Sequence, residues 1–165
     1  MKVDNSRAAL PVGFRPVIDS DFPFLEALYA STREDIAALS WSAEDKQQLM
    51  SMQFRAQHEH YRRSFPRAQF DIILWQDRPV GRLYVDRTSE EHRLIDITLL
   101  PDSRGRGLGS AVIEALLEEA ARARKSVRLR VEPHNPAARL YQRLGFRTIA
   151  NEQLNWHMEC RPAGS

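Results

Sequence analysis

The stretch that most limits how this chain can fold is "RLIDITLLPDSRGRGLGSAVIEALLEEAARAR", residues 93–124. It opens with a near-continuous apolar, β-branched run, the pattern of a strand buried on both faces. Gly105, Gly107 and Gly109 then break the run, interleaved with Arg104 and Arg106. From about Leu108 to Arg124 the period changes to that of a helix. Leu108, Val112, Ile113, Leu116, Leu117 and Ala120 form one apolar stripe, with Glu114, Glu118 and Arg122 on the wet side. The alternating "SVRLRVE" that follows completes a strand–helix–strand unit, which requires a parallel strand pair.

The flanking segments supply the rest of an α/β domain. "VGFRPVI" predicts a short strand, and "DSDFPFLEALYASTR" a first helix with Ser20 as N-cap and Pro23 in its first turn. A second helix follows in "SAEDKQQLMSMQFRAQHEHYRRSF", capped by Ser42, with Met50, Phe54 and Tyr61 along one side. "AQFDIILWQDRPVGRLYVDR" reads as a hairpin turning at Asp77 and Pro79. "NPAARLYQRLGF" is a short helix closed by a left-handed Gly145, and "LNWHMEC" a final strand alternating Leu154, Trp156, Met158 and Cys160. The predicted order is β-α-α-β-β-β-α-β-α-β-β, with a mixed sheet because hairpin strands pair antiparallel.

A chain of 165 residues fits one domain, expected over residues 12–162 behind a flexible tail, residues 1–11. Its 24 basic and 22 acidic residues leave a net charge of +2, too little for a dedicated nucleic-acid binder. Cys160 stands alone, so no internal disulfide forms and a reducing compartment is expected. His58 and His60 lack a third ligand at workable spacing and read as solvent-facing, so no metal site is expected. The N-terminus does not resemble a signal peptide, and no apolar run approaches the roughly 18 residues of a membrane span. A cytoplasmic protein with no membrane partner is the expectation.

The glycine loop admits two readings. Without Cβ atoms the backbone can curl so that its N–H groups approach an anion, beside the positive end of the next helix and two arginines. Equally, it can be an ordinary strand-to-helix turn. It lacks the Lys-Ser/Thr of a P-loop and the G-x-G-x-x-G spacing of dinucleotide folds.

Arg104-Gly105-Arg106-Gly107-Leu108-Gly109 does match an R/Q-x-x-G-x-G/A signature, and "HNPAARLYQRLGF" supplies an Asn, a Leu-Tyr pair and Gly-Phe downstream. On these two motifs the chain resembles the GNAT superfamily of acetyl-CoA-dependent N-acetyltransferases. The resemblance covers residues 14–159 in element order, and its specific motifs lie within residues 95–146. It implies a GNAT-type fold with a mostly antiparallel sheet, and an enzyme that binds acetyl-CoA and an amine acceptor. The pyrophosphate would meet the main-chain amides of Arg104, Gly105, Arg106, Gly107, Leu108, Gly109 and Ser110, and the pantetheine arm the backbone of Ile97, Thr98 and Leu99. Asn135 matches the asparagine that contacts the arm; a seven-residue spacing to the tyrosine would select His134 instead. Asn135 can equally cap a helix before Pro136. Tyr141 matches the tyrosine that protonates the departing thiolate, a chemistry open to a phenol of pKa about 10 facing a thiol of about 8.5. The resemblance also leaves room for a homodimer through the C-terminal strands.

An amine with a lysine-like pKa is neutral in only about one molecule in a thousand at neutral pH, so a base is expected. Arg93 stands one pleat before Ile95, where relatives often carry a base. Asp96 lies on the opposite face from Ile95 and Ile97, and Glu132 and His134 follow the next strand; these three are the candidate bases. Arg139 and Arg143, four apart, form a face that either meets the CoA 3′-phosphate or lies in solvent. Trp41, Phe54 and Trp156 are candidate lining for an acceptor pocket, with Glu34, Asp35 or Glu44 to attract a cationic amine. A CoA-thioester sensor without turnover is the alternative reading.

Overall fold

The computed structural model describes residues 11–164. The tail expected over residues 1–11 falls, except for Pro11, outside the described residues. Among those described, seven strands form one sheet: β1 (Val12–Pro16), β2 (Gln69–Trp75), β3 (Arg78–Arg87), β4 (Glu91–Leu99), β5 (Ser126–Val131), β6 (Arg147–Glu152) and β7 (Asn155–Cys160). Their spatial order is β1-β2-β3-β4-β5-β7-β6. Every neighbouring pair is antiparallel except β4 and β5. The helices are α1 (Phe22–Ala30), α2 (Glu34–Ala37), α3 (Ala43–Ser64), α4 (Leu108–Arg122) and α5 (Ala137–Arg143). This is the predicted element order with one addition, the single-turn α2, whose four residues are too few to display a period.

The sheet separates two apolar clusters. On one face α4 and α5 bury Val112, Ile113, Leu116, Ala138 and Tyr141 against Leu83, Val85, Leu94, Val127, Leu129 and Val131. On the other, α1 and α3 bury Leu25, Tyr29 and Phe54 against Ile72. Strand alternation divides the residues: Ile72 enters one cluster and Ile73 the other.

Local signals decide the ends of the elements. Ser42 Oγ accepts the Asp45 N–H at 3.1 Å and starts α3 as predicted. Ser20 is not a cap. The Asp21 carboxylate instead accepts from Ile18 N–H and from both terminal nitrogens of Arg15, each at 2.8 Å. That ties the chain through a 3-10 turn, Asp19–Asp21, and sets the helix start at Phe22. The β2–β3 hairpin turns on Gln76 and Asp77, both with positive φ, the geometry that matches strand twist. Pro79 is tolerated inside β3 because it sits at a register shift.

Gly145, at φ 102°, closes α5 with two bonds: Phe146 N–H to Tyr141 C=O at 3.0 Å and Gly145 N–H to Gln142 C=O at 3.2 Å. This is the Schellman pattern, completed by contact between the Tyr141 and Phe146 rings. Two expectations need correction. Leu154 lies in the β6–β7 turn beside positive-φ Gln153 and is 82% exposed, so the inward alternation begins only at Trp156. β4 is not buried on both faces: His92 and Leu94 are buried, whereas residues 95–99 are only half-buried. The cause is a missing neighbour.

Candidate active site

β4 pairs with β5 only at Glu91, His92 and Arg93, opposite Ser126, Val127 and Arg128. Beyond Arg93 the strands diverge. A bulge in the β3–β4 register leaves Ile95 without a partner, since Val85 faces Leu94 and Tyr84 faces Asp96. β4 continues along β3 alone, and residues 129–131 of β5 pair only with β7. The result is a wedge bordered by the β4 edge over residues 97–99, which has no strand neighbour on the β5 side.

The wedge leads directly to the glycine loop. Leu100 N–H bonds Val80 C=O at 2.8 Å, and a 3-10 turn, Pro101–Ser103, buries Ser103. Gly105 and Gly107 then take φ of 73° and 80°, a left-handed backbone open to glycine at no steric cost. The first bond of the α4 ladder runs from Ala111 N–H to Gly107 C=O, so the amides of Leu108, Gly109 and Ser110 precede the ladder. They sit at the positive end of a 15-residue helix. Arg104 and Arg106 are not loose: Arg104 Nε donates to Leu99 C=O at 3.1 Å, and the Arg106 guanidinium lies 5.6 Å from the Trp75 ring centre. A Cβ on Gly109 would meet Leu140 and Leu99 side chains at ordinary contact, so alanine fits there as the signature allows.

Tyr141 projects from α5 into the α4/α5 cluster and is 7% exposed. Its hydroxyl makes no hydrogen bond to a described residue. Burial, reinforced by the negative charge of Asp96, pushes its pKa up to about 12. Asn135 is exposed, and its Oδ1 accepts the Ala137 N–H at 3.0 Å, which is the capping role. Glu132 and His134 are also exposed beyond β5, as are Arg139 and Arg143 on α5.

Asp96 faces α3 and is held by four hydrogen bonds. Its Oδ1 accepts from Arg82 Nε at 3.1 Å and Thr98 Oγ1 at 2.7 Å; its Oδ2 accepts from an Arg82 terminal nitrogen at 2.9 Å and Tyr61 hydroxyl at 3.1 Å. That fills the roughly four lone-pair sites of a carboxylate. The Arg82 side chain is only 4% exposed and also donates to Gln57 Oε1 at 2.8 Å. Burial opposes its charge, but the Asp96 carboxylate more than compensates and raises its pKa. Burial, with Asp96 adding to it, lifts the Tyr61 pKa above the ordinary phenol range. Sequence reading missed Arg82, Gln57 and Tyr61 as a group. The available signals were an arginine alternating with Leu83 inside an apolar strand, and the i, i+4 spacing of Gln57 and Tyr61. Gly81 was missed as well: a Cβ there would stand 2.2 Å from the Thr98 carbonyl oxygen, so only glycine lets β3 lie this close to β4.

The aromatic residues expected to line one acceptor pocket do not meet. Phe54 is core, 1% exposed, because α3 packs it under α1. Trp41 borders a hollow of about 660 Å³ with Leu49 and Met52, while Trp156 packs against the α4/α5 cluster. Asp35 is engaged by Arg33, whose hydrogen bonds hold its pKa down at about 2, and Glu34 and Glu44 are exposed. Nor is His58 solvent-facing. It lies among Phe22, Phe54 and Phe70, and burial lowers its pKa. Among the described residues no group of three or more His, Cys, Asp or Glu could hold a metal ion, and no helix is long and apolar enough to cross a membrane.

The acetyltransferase (GNAT) family model matches residues 31–146, from the end of α1 through the Schellman turn. The chain belongs to the GNAT acetyltransferase family. Its fold is that of solved members at low identity. The PaiA N-acetyltransferase of Thermoplasma acidophilum, in complex with coenzyme A, superposes with TM-score 0.67 at 15% identity, over 92% of this chain and 99% of that one. The ribosomal-protein-S18-alanine N-acetyltransferase of Escherichia coli gives 0.60 at 20%, over 94% and 96%. In sequence, the chain is 38% identical over 84 residues to a mycothiol acetyltransferase of Acidothermus cellulolyticus, 46% of this chain and 24% of that protein. It therefore spans about a quarter of that curated relative's length.

Proposed function

We propose that this protein is an N-acetyltransferase, with a single domain over residues 12–162, that moves an acetyl group from acetyl-CoA to a primary amine of a small molecule or peptide. The observation that carries the reading is the wedge: an unpaired β4 edge that runs into a left-handed glycine loop and a helix N-terminus, beside a buried tyrosine with a free hydroxyl. These features fit the donor on physical grounds. An extended arm of secondary amides satisfies the orphaned strand edge, and a pyrophosphate matches the free amides at the start of α4.

The donor supplies an acyl carbon bonded to sulfur; the amine attacks that carbon, the C–S bond breaks, and the sulfur leaves needing a proton. The backbone of Ile97, Thr98 and Leu99 orients the arm, and the amides of residues 104–110 hold the phosphates. Asn135, already capping α5 through Oδ1, keeps its NH₂ group to donate to the arm. Tyr141 donates its hydroxyl proton toward the departing sulfur. With its pKa near 12 against about 8.5 for a thiol, full transfer even to the released thiolate would be uphill by roughly 5 kcal/mol, so the phenol acts as a hydrogen-bond donor while sulfur charge develops, and the thiolate takes its proton from solvent. Glu132 or His134, exposed beyond β5, takes the amine proton directly or through water.

The test combines binding and turnover. Saturating acetyl-CoA raises the melting temperature and gives heat in calorimetry, and a panel of amines releases free thiol with at least one acceptor. Tyr141→Phe keeps binding but lowers kcat by about a hundredfold or more. Absence of both thermal shift and heat defeats the reading. Binding without turnover across the panel leaves the sensor alternative standing.

A further inference from the structure

Asp96 is the residue at which the wedge begins. It follows the unpaired Ile95, and donors from three directions meet on it: Arg82 from β3, Tyr61 from α3 and Thr98 from β4 itself. Its side chain is 13% exposed and that of Arg82 4%, so the pair lies largely out of water between sheet and helix. An aromatic frame surrounds it. The Arg82 guanidinium stands 4.9 Å from the Tyr84 ring centre, the Tyr61 and Tyr84 rings meet edge to face, and the buried Tyr84 hydroxyl has no hydrogen-bond partner in this frame. On the same face, Arg93 rests on Phe65.

A base must keep a lone pair for the incoming proton and give up its charge when it accepts one. Asp96 has neither freedom. Each of its lone-pair sites is taken by a protein donor, and protonation would leave Arg82 as a buried cation without its counterion, a strongly unfavourable state. What the arrangement does is mechanical and electrostatic. Bidentate contact with Arg82 spans the β3–β4 pair diagonally, from the residue opposite Thr98 to the one opposite Tyr84, and Tyr61 and Gln57 tie both partners to α3. The direction in which β4 leaves β5 is thereby set at one point.

We propose that Asp96 and Arg82 form a positioning pair, not a base: a locked anion and cation that fix the angle of the free β4 edge. This rests on the acetyltransferase reading for its consequence in turnover, but the pair itself can be tested without turnover. The charged and titratable groups around it are Arg82 and Tyr84 on β3 and Tyr61 on α3, with Tyr141 on α5 as the group that feels its charge.

The experiment compares wild type, Asp96→Asn, and the uncharged double variant Arg82→Gln/Asp96→Asn. Calorimetry with acetyl-CoA should show a dissociation constant about tenfold weaker for Asp96→Asn, with affinity restored to within about threefold in the double variant, where no cation is orphaned. Spectrophotometric titration of tyrosinate, assigned by difference from Tyr141→Phe, should show the Tyr141 midpoint falling in both variants and furthest in Asp96→Asn. In turnover, KM for acetyl-CoA should rise more than kcat falls, and the acid limb of kcat/KM should persist. If the acid limb disappears with Asp96, Asp96 is the base and the proposal is wrong. It is equally overturned if Asp96→Asn leaves both affinity and titration unchanged, or if the double variant binds no better than the single. Should Asp96→Asn fail to fold, the double variant against wild type decides through binding and titration. Should wild type bind no acetyl-CoA, the functional reading falls separately, and the tyrosinate titration still decides whether the pair sets the charge at Tyr141.

Discussion

The two halves of β4 behave as different strands. His92 and Arg93 have strand neighbours on both sides, and Leu94 between them and the bulge is 4% exposed. Residues 95–99 are the more apolar half, with Ile95, Ile97 and Leu99 among them, yet none has a neighbour on the β5 side and all are half-buried. Composition alone would order the halves the other way; pairing decides. Apolar side chains next to an open wedge stay half-exposed, whereas even a polar side chain with strands on both sides, His92, is buried beside Leu94.

Substitutions along β4 should show this contrast in stability. Leu94→Ala removes a side chain from the closed half and should cost about 2–5 kcal/mol, read as a lower denaturation midpoint at unchanged slope. Gly81→Ala should cost about 1–3 kcal/mol because its Cβ meets the Thr98 carbonyl, and it should weaken acetyl-CoA binding by pushing β4 into the wedge. A comparable loss without any change in binding would show that the open half yields elsewhere. Tyr141 connects stability to pH. Its folded pKa is raised, so the unfolded chain ionises first as pH climbs past about 10; wild type should then lose about 1 kcal/mol by pH 11 relative to Tyr141→Phe, with no difference at pH 8. The smallest effect belongs to Ile97→Ala in the open half, below about 1 kcal/mol in the free protein and larger once acetyl-CoA is bound. If Ile97→Ala matches Leu94→Ala without ligand, the two halves do not differ as described.

Where the chain's signals are local, they could be read directly. The Ser42 cap, the α4 stripe, the alternation of β5 and the left-handed Gly145 each depend on residues within a turn or two, and each stands where the sequence predicts. The motifs that carried the family resemblance are local in the same sense. Features that depend on distant partners could not be read. Nothing in "EHRLIDITLL" announces that β5 will leave it after three residues, since that follows from the Ile95 bulge against β3. The Asp96 network joins positions 57, 61, 82, 96 and 98, and its geometry exists only once α3 lies on β3. His58 and Phe54 were misplaced for the same reason, because α1 and β2 supply their surroundings. Ser20 lost its cap to a competitor one residue away that Arg15 favours.

The Schellman turn after α5 has a consequence in time as well as in space. The bond that seats Tyr141, from Phe146 N–H to its carbonyl, closes a loop of only a few residues, which a chain samples in tens of nanoseconds. The junction that opens the wedge pairs Glu91 with Ser126 and must wait for the whole α4 crossover to form between them. The tyrosine is thus mounted on a turn whose closing bond spans only a few residues, whereas the wedge exists only once the whole α4 crossover is in place.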